Sequence, residues 1–287
     1  MYTKKTIVIT RLFACFFIYC FVGTSIWAQT NLRDSFPDPY QVNPLISLPL
    51  AVGGLLLQPL GVSNNQKKPG ISNETLAELE MKNVNFFDRI ALRQNLSTRK
   101  KAGKFSDVGL IFGAASPLLL FLDRKSRRNW VDFTIMHLEA QAIAGNLQSW
   151  GPFGPLLIDR YRPIVYYANA PLEERNFGAL RNSFYSGHTS VAAAGTFLTA
   201  QVYLDHHPEL RGKRWLIYGL AAIPTAWVGV NRVRALRHFP TDSLVGGLVG
   251  AATGIFVPWL HRQLKGKMSV SMLYEEEFKG MALILRF

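Results

Sequence analysis

The chain has 287 residues, of which 48% are apolar, and a formal net charge of +13 at neutral pH. Such a charge favours anionic partners: phospholipid head groups, phosphate esters or nucleic acid. The sequence has neither zinc-ligand spacing nor the aromatic-rich basic strands of a nucleic-acid-binding module, so we expect no nucleic-acid partner. Apolar residues are concentrated in segments of about the length that crosses a bilayer, which indicates a membrane protein whose basic loops face lipid phosphates.

Residues 1–28 have the pattern of a signal peptide. Basic residues precede an apolar run at 12–22, and small residues follow up to Ala28. The cleavage site is imperfect, so an uncleaved anchor is the alternative. Both cysteines, Cys15 and Cys20, lie in this segment. A chain cleaved after it would therefore carry no disulfide, no thiol nucleophile and no cysteine metal ligand.

Residues 29–104 form an N-terminal region before the main apolar segments. Its apolar run, Pro44–Val62, contains three prolines and three glycines, which predicts a poor straight helix. Residues 63–104 are polar and basic. Asn73 can cap an amphipathic helix that begins at Glu74, but the apolar periodicity is weak. An interfacial helix and a plain surface loop are equal alternatives for this stretch.

Five helical segments are predicted within residues 105–262. They are Phe105–Leu122, Trp130–Trp150, His188–Leu204, Trp215–Val230 and Ser243–Leu260. In the last, Gly246, Gly250 and Gly254 form a stripe of small residues that lets helix backbones approach closely. We predict an all-α, membrane-embedded bundle of about five or six spans. A polar tail, 263–287, follows, and Met281–Phe287 has the pattern of a strand.

Three polar clusters lie at the ends of different predicted helices. They are Arg160-Tyr-Arg162-Pro163, Ser183-Phe-Tyr-Ser186-Gly187-His188, and Arg232-x5-His238-x3-Asp242. Because consecutive helices alternate direction through a bilayer, we expect these ends to meet on one membrane face. Each cluster alone has an ordinary explanation, such as a lipid anchor, a helix start or a structural ion pair. Their joint order and spacing favour a common functional site.

The residue types in these clusters suit phosphoryl transfer, which needs fixed cations and backbone donors around the transferred group. Arg162 and Arg232 can bind phosphate through their planar guanidinium groups. The Ser186 hydroxyl and the Gly187 amide, at a helix start, add donors.

The histidines suit covalent and acid–base catalysis. A histidine nucleophile needs a partner that holds its tautomer, and Asp242 follows His238 by four residues. Pro240 fits the first turn of a helix, so both side chains could share one corner. His188 can protonate the leaving oxygen.

These clusters resemble the type 2 phosphatidic acid phosphatase superfamily, which also contains bacterial class A acid phosphatases and vanadium haloperoxidases. That family's pattern is Lys-x6-Arg-Pro, Ser-Gly-His and Arg-x5-His-x3-Asp, and the resemblance covers about residues 105–262. The stretches RPIVYYANAPLEERNFGALRNSFYSGHTS and VRALRHFPTD look like membrane-bound bacterial members. The resemblance implies that His238 is the nucleophile, Asp242 its orienting partner and His188 the general acid. It implies no metal or cofactor, and a phosphate held by Arg162, Arg232, Ser186 and Gly187.

The chain departs from the family pattern at three positions. The family lysine falls on Pro155, and two milder changes are Asn231 before the third arginine and Tyr185 before Ser186. The missing lysine removes a phosphate-binding cation. We expect Arg160 to compensate in part by binding the same phosphate.

The resemblance implies a metal-independent phosphatase of the bacterial cell membrane that hydrolyses a lipid phosphate or diphosphate through a phosphohistidine. One alternative is a non-catalytic or weakly catalytic relative that binds or moves anionic lipids. Another is an acid phosphatase or haloperoxidase with the same pocket. The sequence defines neither the particular lipid nor the oligomeric state. Short basic loops at 124–128 and 211–214, opposite the clusters, favour a periplasmic site. That orientation requires that Pro44–Val62 does not span the membrane.

Overall fold

The computed structural model describes residues 38–274 and 279–285, with side chains described up to residue 267. The predicted signal peptide and both cysteines lie outside these residues. The elements are α1 (Pro44–Gln66), α2 (Asn73–Glu78), α3 (Arg99–Ala115), α4 (Trp130–Ser149), α5 (Gly187–His206), α6 (Arg214–Arg234), α7 (Pro240–Leu264), β1 (Met268–Tyr274) and β2 (Lys279–Leu285). A 3₁₀ helix, Ser116–Leu122, extends α3.

Helix α1 is continuous through Pro49 and Pro59, although its sequence predicts a poor straight helix. Asn43 caps its start by accepting a hydrogen bond from the Leu45 amide, and Pro44 occupies the first turn, where its missing N–H costs nothing. Small residues allow close packing on α4: a Cβ added at Gly54 would lie 2.8 Å from the Ala142 side chain. Asn146 also donates a 2.7 Å hydrogen bond to the Gly54 carbonyl. This packing compensates for the prolines inside the helix.

Three helical segments are long and apolar enough to cross a membrane: Pro44–Gln66, Leu96–Leu122 and Pro240–Leu264. The bundle that they form with α4, α5 and α6 is all-helical, as predicted, and the chain is a membrane protein. That α1 does not span stays a prediction, but the length of α1 counts against it.

Helix α5 lies at the centre of the bundle, against α3, α4, α6 and α7. Its surface is built from small residues, and Ala192, Ala193 and Ala194 are fully buried. The glycine stripe of α7 packs on this surface: a Cβ at Gly246 or Gly250 would collide with the carbonyl oxygen of Ser186, the cap of α5, or of Ser190 in its first turns. The predicted close packing is confirmed. Because successive glycines of α7 meet successive turns of α5, the two helices are parallel and their N-termini lie side by side.

The N-termini of α3, α5 and α7 share one end of the bundle with the C-termini of α1, α4 and α6. We call this the motif end, because the three polar clusters meet there. Ser186 donates its amide hydrogen to the Asp242 carbonyl at 3.0 Å, and Ser183 donates to the Arg160 carbonyl at 3.0 Å. The predicted convergence of the clusters is confirmed.

Residues 63–98, which we call the N-terminal segment, pack against the loops of the motif end. Ile71, Ala91 and Leu92 are buried in one cluster with Ile164 and Leu236. After the end of α1, the segment contains one short α-helix, α2, and three 3₁₀ helices, Met81–Asn83, Asp88–Arg93 and Leu96–Thr98. The segment as a whole is a layer docked on the predicted site. That its short helix lies at the membrane interface stays a prediction.

The cap of α2 also differs from the prediction. Its capping residue is Ser72, whose hydroxyl accepts a hydrogen bond from the Thr75 amide at 3.2 Å. Asn73, the predicted cap, is the first helical residue instead.

The tail forms an antiparallel hairpin of β1 and β2, in which Met268 pairs with Leu285. The predicted strand at Met281–Phe287 overlaps β2. Strand β1 was not predicted, although its sequence MSVSMLY alternates apolar and polar residues over its first half, which is a strand signal.

Candidate active site

His238 lies in the turn between α6 and α7 and is 4% exposed. Its Nδ1 lies 2.6 Å from the carbonyl oxygen of Ser183. A carbonyl oxygen can only accept, so Nδ1 carries the proton and the lone pair of neutral imidazole is on Nε2. Burial, and then the charges of Arg232 and Arg162, hold the pKa of His238 well below its usual range. At neutral pH the ring is therefore uncharged and nucleophilic at Nε2.

Asp242 contacts Ser183, which holds His238, and does not orient the imidazole by a direct hydrogen bond. Its Oδ2 accepts from the Ser183 hydroxyl at 2.6 Å and from the Phe239 amide at 2.7 Å. Asp242 is the third residue of α7, and its side chain turns back to cap the helix start. The predicted direct contact is thus replaced by a relay through Ser183, because four-residue spacing does not fix which way a capping side chain turns.

His188, in the first turn of α5, meets an acid that the sequence analysis did not single out. Its Nε2 lies 3.3 Å from Oδ1 of Asp107 on α3. The same Oδ1 lies 3.8 Å from Nη1 of Arg232. The imidazole and the guanidinium therefore converge on one oxygen position. An acid within a predicted membrane segment is itself a functional signal, which would have identified Asp107.

The phosphate-binding candidates occupy the same end. Arg232 is 7% exposed at the end of α6, and the side chain of Arg162 lies 3.5 Å from the Asn182 carbonyl oxygen. Ser186 is fully buried, and its hydroxyl caps α5 by accepting from the Thr189 amide at 3.4 Å. Gly187 begins α5, where a backbone N–H has no partner within the helix.

Arg160 lies in an ion-pair network with two acids. Its Nη2 lies 2.5 Å from Oδ2 of Asp88, and its Nη1 contacts the Asp242 carboxylate. The guanidinium also stacks over the Phe239 ring, 4.6 Å from the centroid. The structure therefore gives Arg160 two carboxylate partners, which does not fit its predicted compensation for the missing family lysine.

A different cation reaches Pro155, the position of that lysine. Lys68 Nζ lies 2.5 Å from the Pro155 carbonyl oxygen and 2.6 Å from Oδ1 of Asp159. Lys68 belongs to the N-terminal segment. Its side chain is 17% exposed. Sequence reasoning missed it because the contact joins residues 87 positions apart.

Within the described residues, no group of three or more His, Cys, Asp or Glu side chains is arranged to hold a metal ion.

Residues 140–265 match the model of the PAP2 superfamily. This range contains all three polar clusters, so the family model bears out the resemblance seen in the sequence over this region. The match supports a phosphatase-type activity in general. It also suggests lipid substrates.

A crystal structure described as "the first transmembrane PAP2 type phosphatidylglycerolphosphate phosphatase from Bacillus subtilis" is also similar. It has 20% sequence identity to this chain and a TM-score of 0.38, and the alignment covers 76% of this chain and 97% of that one. At this identity and TM-score the similarity does not define the substrate. Comparison with curated protein sequences gave no significant match.

Proposed function

We propose that the protein is a metal-independent phosphatase that hydrolyses a lipid phosphate or diphosphate through a phosphohistidine on His238. The observation that carries this proposal is the 2.6 Å contact between His238 Nδ1 and the Ser183 carbonyl oxygen. This contact leaves the Nε2 lone pair as the nucleophile of a buried, neutral ring.

The chemistry proceeds in two displacements. His238 Nε2 attacks phosphorus, forming an N–P bond while the bond from phosphorus to the leaving oxygen breaks. His188 gives that oxygen a proton. Neutral His188 then takes a proton from water, whose oxygen attacks phosphorus and breaks the N–P bond. The convergence of His188 Nε2 and Arg232 on one Asp107 oxygen supports this assignment, since a substrate oxygen can take the place of that carboxylate.

The phosphate is held by Arg162, Arg232 and the Gly187 amide at the start of α5. These donors are fixed before the substrate arrives and meet the charge that develops on the equatorial oxygens in the transition state. We assign Ser186 to the same cradle through its buried position at the helix cap. Its hydroxyl shares a 2.8 Å hydrogen bond with the Thr189 hydroxyl, so it can turn to donate when a phosphate binds.

A lipid substrate follows from the placement of the site. The motif end lies at the ends of α1, α3 and α7, which are the helices suited to a bilayer. A head group at that level can reach His238 while its acyl or isoprenyl chain stays among lipids. Free phosphate esters would lack this apolar contribution to binding.

Phosphate release from a panel of lipid phosphates in detergent tests the proposal, with His238→Ala as the blank. We expect turnover by the wild type and a loss of at least about a thousandfold in the variant. Acid-quenched wild type should carry an acid-labile, base-stable phosphate adduct. Activity should survive strong chelators. Chelator-sensitive activity restored by a divalent ion would contradict the mechanism, because the metal would then supply the charge stabilisation.

A weakly catalytic, lipid-binding relative is the second candidate. The observation that favours it is that Arg160, the residue expected to compensate for the lysine missing at Pro155, is held by Asp88 and Asp242. Lipid phosphate binding by purified protein without phosphate release from any member of the panel would support this candidate.

We propose that the site faces the periplasm of a bacterial cell. Two short basic loops, 124–128 and 211–214, lie at the end opposite the motif end. Positively charged loops prefer the cytoplasmic side of a membrane, so these loops favour a periplasmic motif end. The length of α1 argues for the reverse orientation, since a spanning α1 preceded by an exported segment brings the motif end inside. With Cys15 and Cys20 replaced by serine, a cysteine at exposed Asn169 decides the question. Labelling by an impermeant reagent in cells with a permeable outer envelope supports a periplasmic site, and protection until the inner membrane is lysed contradicts it.

A further inference from the structure

Asp88 is an acid of the N-terminal segment that is completely buried against the motif end. It precedes the region that matches the family model, and no polar cluster in the sequence contains it. A buried carboxylate is stabilised only where hydrogen bonds or cations replace its water. The contacts of Asp88 therefore show what it is built to hold.

The carboxylate of Asp88 binds the start of the catalytic helix α7. Its Oδ1 accepts from the Thr241 amide at 2.9 Å, and its Oδ2 accepts from the Thr241 hydroxyl at 2.7 Å. The Thr241 amide belongs to the first turn, which has no acceptor within the helix and lies at the positive end of its dipole. Burial raises the pKa of Asp88, but hydrogen bonds from Thr241, Asn85 and Arg160 outweigh it and leave the pKa below its usual value. Asp88 is thus an anionic cap supplied by a distant segment.

The same carboxylate also holds Arg160, which leads to the nucleophile. Arg160 bridges Asp88 and Asp242, and its Nη1 donates to the Thr241 hydroxyl at 2.9 Å. Asp242 accepts from the Ser183 hydroxyl, and the Ser183 carbonyl oxygen holds His238 Nδ1. A continuous series of hydrogen bonds therefore runs from the N-terminal segment to the imidazole.

We propose that Asp88 is a positioning residue for the reaction: it fixes Arg160 and the start of α7, and through them the ring of His238. The inference rests on the proposed phosphatase function. Asp88 does not touch the substrate. Its loss frees the guanidinium of Arg160 to move, and Asp242 and Ser183 lose their fixed arrangement. The attack geometry at Nε2 then suffers, while Arg162 and Arg232 still bind the phosphate.

The test compares Asp88→Asn with Glu80→Gln in the full-length protein. Both changes remove one negative charge from the N-terminal segment with little change of shape. Glu80 pairs at 2.7 Å with Lys82 on the surface and does not reach the site. We expect kcat of Asp88→Asn to fall by about ten- to a hundredfold on a lipid phosphate, with KM within about twofold. Glu80→Gln should match the wild type.

A double-mutant cycle with Arg160→Gln separates positioning from general destabilisation. If Asp88 acts through Arg160, Asp88→Asn should lower kcat by less than about threefold when Arg160 is already replaced. Thr241→Val is the milder variant for the case in which Asp88→Asn does not fold. It removes one hydroxyl from the same network and should lower kcat about threefold with KM unchanged.

Three results would overturn the inference: a kcat for Asp88→Asn equal to that of Glu80→Gln, a full multiplicative effect in the Arg160→Gln background, or a change confined to KM. If Asp88→Asn does not fold, a kcat of Thr241→Val equal to that of the wild type would also overturn the inference. A wild type that turns over no lipid phosphate removes the proposed function, and this inference falls with it. If the wild type is active and Asp88→Asn is equally active, this inference is wrong while the proposed function stands.

Discussion

The two ends of the bundle both contain buried charged networks, yet they differ in how the charges are matched. At the end opposite the motifs, Asp205 accepts from the Tyr40 hydroxyl at 2.7 Å and from Gln201 at 2.9 Å, and it pairs with Arg262. Glu139 there meets His261 at 2.6 Å. Each of these acids contacts one basic side chain, so the pairing is one acid to one base.

At the motif end, several donors converge on a shared position. His188 and Arg232 reach the same oxygen of Asp107, a side chain that is 60% exposed and lies at the edge of the site. Two parallel helix starts, those of α5 and α7, add positive dipole ends at the same place. The comparison teaches that buried ion pairs alone do not mark a site. A functional site is marked by several donors that converge on one accessible position.

Removal of Arg162 should have the largest effect among changes that leave the nucleophile in place. Arg162→Gln should lower kcat/KM about a hundredfold, because a preorganised donor to the transition state is lost. The charge of Arg162 also contributes to the low pKa of His238. Without it that pKa rises, so the ring stays protonated to a higher pH and the acid limb of the kcat/KM profile moves upward.

The pH profiles of the wild type, Arg162→Gln and the exposed, opposite-end variant Arg211→Gln provide the measurement. The wild-type acid limb should lie below the ordinary histidine value of about 6.5. An unmoved acid limb in Arg162→Gln would contradict the electrostatic role assigned to this arginine.

Residues of the opposite end should affect stability and not catalysis. Asp205→Asn weakens the pair with Arg262 while the bonds from Tyr40 and Gln201 can partly persist. We expect a loss of about 1–3 kcal/mol in the free energy of unfolding, measured by denaturation in detergent, with kcat of the folded fraction unchanged. A large fall in kcat at full folding would mean that the two ends are coupled and would break the comparison.

The parts of the site that sequence could predict are those whose partners lie within one motif. The order Arg162, Ser186-Gly187-His188, then Arg232, His238 and Asp242 gave the family resemblance, and helix alternation correctly placed the clusters together. The glycine stripe of α7 was predictable for the same reason, because one helix carries the whole pattern.

What sequence could not predict are contacts between distant segments and the direction of individual side chains. Asp88 meets Thr241 across 153 residues, and Lys68 meets Pro155 across 87. No local periodicity encodes such pairs. Asp242 turned toward the helix start and Ser183, which four-residue spacing does not specify. Helix α1 was underestimated because proline propensities, measured in water, ignore the packing on α4 that stabilises it.

The variant Asp107→Asn tests whether the substrate binds at the accessible position where His188 and Arg232 converge. The carboxylate of Asp107 competes with a phosphate oxygen for His188 and Arg232, and it repels the dianion. Asp107→Asn should therefore lower KM about three- to tenfold on a lipid phosphate, a moderate effect because the side chain is largely exposed and screened. Steady-state kinetics at low salt would measure it. A fall in kcat at constant KM would instead make Asp107 the orienting partner of His188.

The smallest effect is expected at Pro155, where the family lysine is missing. A new lysine would start close to the ammonium of Lys68, which lies 2.5 Å from the Pro155 carbonyl oxygen. The two like charges would repel, and Asp159 already pairs with Lys68 and Arg181. We therefore expect Pro155→Lys to change kcat by less than about threefold, a difference of roughly 0.6 kcal/mol in the barrier.

Lys68→Met is the matched control, since it removes the ammonium group beside Pro155. If the gain from Pro155→Lys appears only in that background, Lys68 substitutes for the missing cation. A gain of tenfold or more with Lys68 intact would contradict this and would mean that the site lacks a cation it can use, which favours a protein that binds lipid phosphates more than it turns them over.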